Sequence, residues 1–266
     1  MILTERNETV AGMKTHLLTG GTGMPILLLH GWGSAAERFR DILARLPDDI
    51  GSVIAVDLPG FGGSDRPPDT WGIRDYARWV ESLLQSLGQQ RPIVVGHSFG
   101  GSIAIVLAGS KPNSVRGLIL MAAGHLTPRN ETKLSAFRAL AASGKRLLGD
   151  PERNPLAKNA RKLLYRLAGS KDALRAGPMQ PIFRRVIEER VNDDLSRITV
   201  PTIVLWGDRD EETPMRDAEE IVSNVSGAEL RVLPDVGHAP HREQPVQFSL
   251  ALENALRDLQ KRIGPS

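Results

Sequence analysis

The chain has 266 residues, 41% of them hydrophobic and 24% charged, with a formal net charge of +3. That length suits one large α/β domain with room for an inserted subdomain, and that composition excludes bulk disorder and collagen-like repeats. There is no cysteine, so a disulfide scaffold, a thiolate zinc site and a cysteine nucleophile are all excluded.

Met1 leads into a polar stretch, Thr4 to Glu8, rather than the apolar run of a signal peptide. No apolar run approaches the roughly 18 to 20 residues that cross a membrane. The expectation is a cytoplasmic protein.

Ile2 to Val10 and Met13 to Thr19 read as two strands joined at Ala11-Gly12, a plausible hairpin turn. Pro25 to Leu29 is a continuous apolar run, the mark of a strand buried on both faces. Ser52 to Asp57, Pro92 to Gly96, Gly117 to Ala122 and Thr202 to Trp206 have the same character, and Leu230 to Leu233 is a further strand. Between them, Tyr76, Trp79, Val80, Leu83, Leu84 and Leu87 make one apolar helical face, closed by Gly88. Phe248, Leu252, Ala255, Leu256 and Leu259 make another. Strand and helix alternate before residue 123 and again after residue 200, which predicts a mostly parallel sheet covered by helices on both faces. Residues 125–197 break the rhythm with helical patches punctuated by Gly and Pro. They read as a helical cap inserted after the sixth strand, between core segments 1–124 and 198–266.

Four motifs carry chemistry. Gly96-His97-Ser98-Phe99-Gly100 follows a buried strand and precedes the helical run Ile103 to Ala108. It fits G-x-S-x-G, in which a sharp strand-to-helix turn lifts a serine oxygen above the sheet and leaves room only for glycine on either side. Ser98 is the candidate nucleophile, and His97 should point away from it. His30-Gly31-Trp32-Gly33 ends another buried strand. Backbone N–H groups must meet the negative oxygen that develops in acyl transfer. Phe99 supplies one such group and Trp32 the other, while His30 reads as a structural histidine. Asp235-Val236-Gly237-His238 follows the late strand, and His238 is the candidate base. His241 is its local rival and otherwise reads as a surface loop residue. Trp206 to Glu212 offers several carboxylates, of which one must orient the imidazole. Glu211 and Glu212 read as a solvated acidic loop.

These segments resemble the α/β-hydrolase superfamily, in its small capped esterase branch. The matching stretches are HGWG (30–33), DLPGFGGSD (57–65), GHSFGG (96–101), VPTIVLWGDRD (200–210) and GHAPHREQP (237–245). The resemblance implies that the acid is Asp210, the last residue of G-x-x-D, rather than Asp208. It implies His238 as the base and Trp32 as an oxyanion donor. Haloalkane dehalogenases and epoxide hydrolases of this fold carry Asp where Ser98 stands. Meta-cleavage C–C hydrolases usually carry Trp after the histidine, where this chain has Ala239. The HGWG loop and the overall size resemble pimeloyl-carrier-protein methyl esterases.

Residues 125–197 hold 16 Lys or Arg against 8 Asp or Glu, a net of +8, and the rest of the chain carries −5. One reading is a set of solvated helix faces; the other is an anionic or carrier-bound substrate. Aromatics are few among these basic residues, with Phe137, Tyr165 and Phe183 in 125–197, so nucleic acid is not expected. The resulting expectation is a carboxylic-ester hydrolase acting on a small molecule through an acyl-enzyme. It needs no cofactor or metal and no membrane, and is a monomer or homodimer. The alternatives are C–C, lactone, thioester or peroxy-acid chemistry on the same residues, and a weakly catalytic ligand receptor.

Overall fold

The computed structural model describes residues 1–88, 91–124, 126 and 176–264. Eight strands form one sheet in the order β1-β2-β4-β3-β5-β6-β7-β8. The first two, β1 (Leu3–Val10) and β2 (Met13–Gly20), make the hairpin anticipated at Ala11-Gly12. Both turn residues have positive φ, 48° and 80°, as a two-residue hairpin turn with the twist of its strands requires. β1 is one of the two edge strands, and its charged Glu5, Arg6 and Glu8 discourage pairing with another chain.

The other six strands are β3 (Pro25–Leu29), β4 (Ser52–Val56), β5 (Ile93–His97), β6 (Gly117–Met121), β7 (Thr202–Gly207) and β8 (Glu229–Leu233). They run parallel to one another, and β2 meets β4 antiparallel. Their unbroken apolar sequences follow from the period of two, because each face of the sheet has its own core. Leu27, Leu29, Val94, Leu118, Leu120 and Val204 pack on one side with α2 (Ile73–Ser86) and α3 (Phe99–Ser110). Ile26, Leu28, Val95, Ile119, Ile203 and Leu205 pack on the other. There they meet α1 (Arg40–Arg45) and the long C-terminal helix, through Ile42, Leu43, Phe248, Leu252 and Leu256.

Parallel strands joined by crossovers put all their carboxyl ends on one edge. The loops after β3, β5, β6, β7 and β8 therefore gather there, where open α/β sheets bind ligands.

Of the segment 125–197, residues 125 and 127–175 lie outside the described residues. Its last part is helical: a turn at Gly177–Met179, then α4 (Gln180–Glu188) and α5 (Asn192–Leu195). α4 buries Ile182, Phe183 and Val186. Asp194, fully buried, accepts from Arg74 Nη2 of α2 at 2.9 Å, which ties this segment to the core just before β7. After β7 come α6 (Met215–Asn224), α7 (Pro240–Glu243) and α8 (Pro245–Ile263).

Candidate active site

β5 enters the site along Ile93–His97, and the chain turns sharply into α3 at Ser98. Ser98 has φ 51° and ψ −112°, a region that side chains avoid, so its conformation is held by its surroundings. The glycines explain how so tight a turn fits. A Cβ on Gly96 would lie 2.6 Å from Gly100 O, and one on Gly100 would lie 2.2 Å from Leu29 O. The two positions sit where α3 presses against its own turn and against β3.

His238 arrives on the loop after β8. Its Nε2 lies 3.0 Å from Ser98 Oγ, and its Nδ1 lies 2.9 Å from Asp210 Oδ2. With the proton on Nδ1, the imidazole donates to Asp210 and accepts the Ser98 hydroxyl. The serine, imidazole and carboxylate predicted from sequence thus stand in one hydrogen-bonded chain, although they are separated by up to 140 positions.

Asp210 has four partners. Oδ2 takes the His238 bond and the Thr213 hydroxyl at 2.6 Å, and Oδ1 accepts the backbone N–H groups of Glu212 (2.8 Å) and Thr213 (2.9 Å). Burial pushes this carboxyl up, but the hydrogen bonds from His238 and Thr213 outweigh it and hold the group below its ordinary range. Asp208 takes no part in this chain. Its Oδ1 accepts the Val236 N–H at 3.3 Å and so braces the loop that carries His238.

The remaining histidines sort by contact. His30 is buried; its Nδ1–H donates to Gly31 O at 2.8 Å, and its Nε2 accepts from Leu58 N–H at 3.0 Å. That places it as a staple of the loop after β3. His97 points away from Ser98, as the turn dictates, and donates through Nε2 to His238 O at 2.8 Å. His241 corrects one expectation. It is not a surface residue but is buried, its ring packed near His97, Phe39 and Phe248. The short helix α7 packs against α8, which turns the His241 ring toward Phe248 and away from solvent. Burial first, and then the neighbouring Arg242 and His238, lowers the His241 pKa to about 4.

The two oxyanion candidates flank the serine. Phe99 opens α3, so its N–H belongs to the helix N-terminus, where the dipole favours negative charge. Trp32 follows Gly31, and a Cβ on Gly31 would lie 3.3 Å from Ser98 Cβ, so the Trp32 peptide adjoins Ser98. The Trp32 ring meets Phe61, Phe99 and Phe183 at centroid distances of 5.0, 5.3 and 5.1 Å. Phe183 of α4 thereby covers the loop after β3 from above.

Sequence reasoning missed two supports. Thr213, three residues beyond Asp210, reads as an ordinary loop residue until its hydroxyl is seen on that carboxylate. Glu243 clamps the peptides on either side of His238, accepting Gly237 N–H at 2.6 Å and Ala239 N–H at 2.9 Å. It lies inside the matching stretch 237–245, so its place was visible although its task was not. Among the described residues no group of three or more His, Asp or Glu could hold a metal ion. None of their helices is long and apolar enough to cross a membrane.

The model of the alpha/beta hydrolase family matches residues 26–251. The chain belongs to this family. The eight-stranded, mostly parallel sheet is that fold, and the protein is a hydrolase of this class. It is 31% identical over 272 residues to a 2-hydroxymuconate semialdehyde hydrolase of Pseudomonas putida, covering 95% of this chain and 94% of the relative. Among solved structures it resembles Est816, an N-acyl homoserine lactone degrading enzyme. The TM-score is 0.69 with 26% identity, over 94% of this chain and 99% of that one. A thermophilic esterase from Thermogutta terrifontis superposes with a TM-score of 0.74 and 24% identity, over 96% of this chain and 99% of that one; this likeness speaks for the fold.

Proposed function

We propose that this α/β hydrolase cleaves a carboxylic ester of a small molecule through an acyl-enzyme, with Ser98 as nucleophile, His238 as base and Asp210 as the orienting acid. The observation that carries the reading is the continuous hydrogen-bonded path from Ser98 Oγ through both ring nitrogens of His238 to Asp210 Oδ2. In this mechanism Ser98 Oγ attacks the carbonyl carbon as its proton passes to His238 Nε2. The oxyanion is met by the Trp32 and Phe99 N–H groups. As the tetrahedral intermediate collapses, the C–O bond to the alcohol breaks and His238 returns the proton to the departing oxygen. Water then enters the vacated position and its oxygen bonds to the acyl carbon as its proton passes to His238. The Ser98 Oγ–C bond breaks, His238 returns the proton to Ser98 Oγ, and the acid leaves.

No step calls on a cofactor. Asp210 stays ionised throughout, which its lowered pKa favours, and stabilises the imidazolium. Ser98→Ala should lower kcat by roughly 10⁴- to 10⁶-fold, because members of such a relay act as one unit. A fluorophosphonate probe should label the wild type and not the variant. Retained esterase activity in a folded Ser98→Ala protein would overturn the assignment.

A second reading has its own support. The 31% identity to a semialdehyde hydrolase spans nearly both chains, and it favours cleavage of a C–C bond on the same residues. Ala239, where those enzymes usually carry Trp, weighs against it. Comparing p-nitrophenyl esters with a ring-fission semialdehyde under the same conditions separates the two: the ester reading expects turnover of the esters with little on the semialdehyde.

A further inference from the structure

We infer that Glu212 sets the charge preference of the leaving group, favouring cationic or hydrogen-donating alcohols and disfavouring anionic ones. The inference rests on the ester-hydrolase reading above. Its basis is the position of one carboxylate: Glu212 Oε2 lies 3.8 Å from His238 Nε2, the same nitrogen that faces Ser98 Oγ at 3.0 Å. From sequence this glutamate belongs to a solvated acidic loop. In the structure its side chain is still more than half exposed, but it stands beside the proton-transferring nitrogen.

The backbone accounts for this placement. Asp210 Oδ1 accepts the N–H groups of both Glu212 and Thr213, which bends residues 210–213 into a tight turn. The far end is pinned by Trp206 Nε1–H, which donates to Thr213 O at 3.1 Å, and Trp206 itself is fully buried. The carboxylate that orients His238 through one oxygen thus fixes, through the other, the turn that aims Glu212 at the opposite nitrogen.

The chemistry then selects which part of a substrate Glu212 meets. During acylation the Ser98 Oγ–C bond forms and the bond to the alcohol oxygen breaks. The proton carried on His238 Nε2 goes to that oxygen. The alcohol must therefore pass His238 Nε2, and so pass Glu212, while the acyl group stays bonded to Ser98. A full negative charge within contact distance of the alcohol attracts a cation and repels an anion. Because Glu212 is largely solvated, the effective dielectric is near that of water, where two unit charges about 4 Å apart interact strongly enough to change a rate constant by about fivefold.

The test compares leaving groups of matched shape on one acyl chain. The first pair is the choline ester and its uncharged isostere, the 3,3-dimethylbutyl ester. The second is the 4-hydroxybutanoate ester and the pentyl ester. Each is measured as kcat/KM at low salt in the wild type, Glu212→Gln and Glu211→Gln. In Glu212→Gln the choline-to-dimethylbutyl ratio should fall about fivefold, and the hydroxybutanoate-to-pentyl ratio should rise by a similar factor. A loss of folding or of general activity would scale both members of a pair alike and leave the ratios alone. Glu211→Gln removes the same charge one residue away and should move neither ratio by as much as twofold. Ratios unchanged in Glu212→Gln, or moved equally by Glu211→Gln, would overturn the assignment of Glu212 while leaving the ester reading intact. If the wild type turns over none of these esters in a Ser98-dependent way, the ester reading falls first and the leaving-group assignment falls with it.

Discussion

Asp210 and Asp208 are two positions apart on one loop, yet only one can serve the imidazole. Asp210 Oδ2 meets His238 Nδ1 at 2.9 Å, whereas Asp208 is occupied with the Val236 N–H. Asp210→Asn should therefore cost on the order of 10⁴ in kcat, because an amide offers His238 the wrong partner and tautomer. Asp208→Asn should cost far less, and steady-state kinetics on the two folded variants checks the ranking. Thr213 acts one step further out, through the carboxylate. Its hydroxyl and His238 share Asp210 Oδ2, so removing it frees that oxygen to move while the two backbone bonds to Oδ1 persist. Thr213→Val should lower kcat about tenfold with little change in KM, the scale of one hydrogen bond to a charged group. Thr213→Ser should restore it; a Ser variant as slow as Val would mean that the methyl group and not the hydroxyl matters. The difference in legibility between these residues is physical. Ser98 sits in a turn whose backbone demands glycine on either side, and those neighbours leave a spacing in the sequence, whereas Asp210 is told from Asp208 in the sequence only by the G-x-x-D of the family resemblance. Thr213 contributes one hydroxyl through a rotamer, and no spacing reports a rotamer.

At the level of elements, the parallel strands were readable because burial on both faces leaves unbroken apolar runs, as at Pro25–Leu29 and Ile93–Val95. The short helix α7 was not. Four residues carry no periodicity, so its inward turn and the burial of His241 had no signature. That burial has a consequence for stability. His241 Nδ1 has no hydrogen-bond partner among the described residues, and the ring lies near His97 and close to the positive Arg38 and Arg242, with Glu243 opposing. Its pKa falls from 6.5 to about 4 in the folded state, and burial together with His241 and His238 pushes His97 well below its ordinary value too. Between about pH 6.5 and pH 4 the unfolded chain therefore binds protons that the folded chain refuses, and stability must rise with pH across that window. For His241 alone the span corresponds to about 3 kcal/mol. Asp210, held below its ordinary value of 3.8, acts with the same sign at lower pH, losing its contribution as the carboxylate protonates. Urea denaturation at pH 7.5, 6 and 5 should show a steady loss of stability on acidification. His241→Leu should flatten that dependence whatever it does to stability at neutral pH. An unchanged slope in the variant would place the acid sensitivity elsewhere.

Across the whole molecule the charge is uneven: residues 125–197 carry +8 and the remainder −5. The described end of the basic segment lies at the carboxyl edge of the sheet, because Phe183 of α4 packs on Trp32 beside Ser98, and Arg184 and Arg185 of the same helix face solvent. In that described end, residues 176–197, four arginines and four acidic residues cancel, so Arg184 and Arg185 are the exposed positive charges on α4 near the site. Such charges raise the local concentration of anions, while Glu212 acts only within contact of His238. The two need not conflict. A substrate whose negative charge lies far from the scissile bond, on the acyl tail or on a carrier, would be drawn in by the first and untouched by the second. If the basic segment steers in this way, kcat/KM for an ester with a terminal carboxylate on its acyl chain should fall steeply with added salt. The value for a neutral ester of equal length should hardly change, since exposed charges are screened beyond roughly 8 Å at physiological ionic strength. Arg184→Gln combined with Arg185→Gln should reproduce part of that loss at low salt, mainly as a slower approach to binding rather than a lower kcat. Equal salt responses for the two esters would make the basic segment a solvated surface, and an anionic or carrier-bound substrate would then have no support from charge.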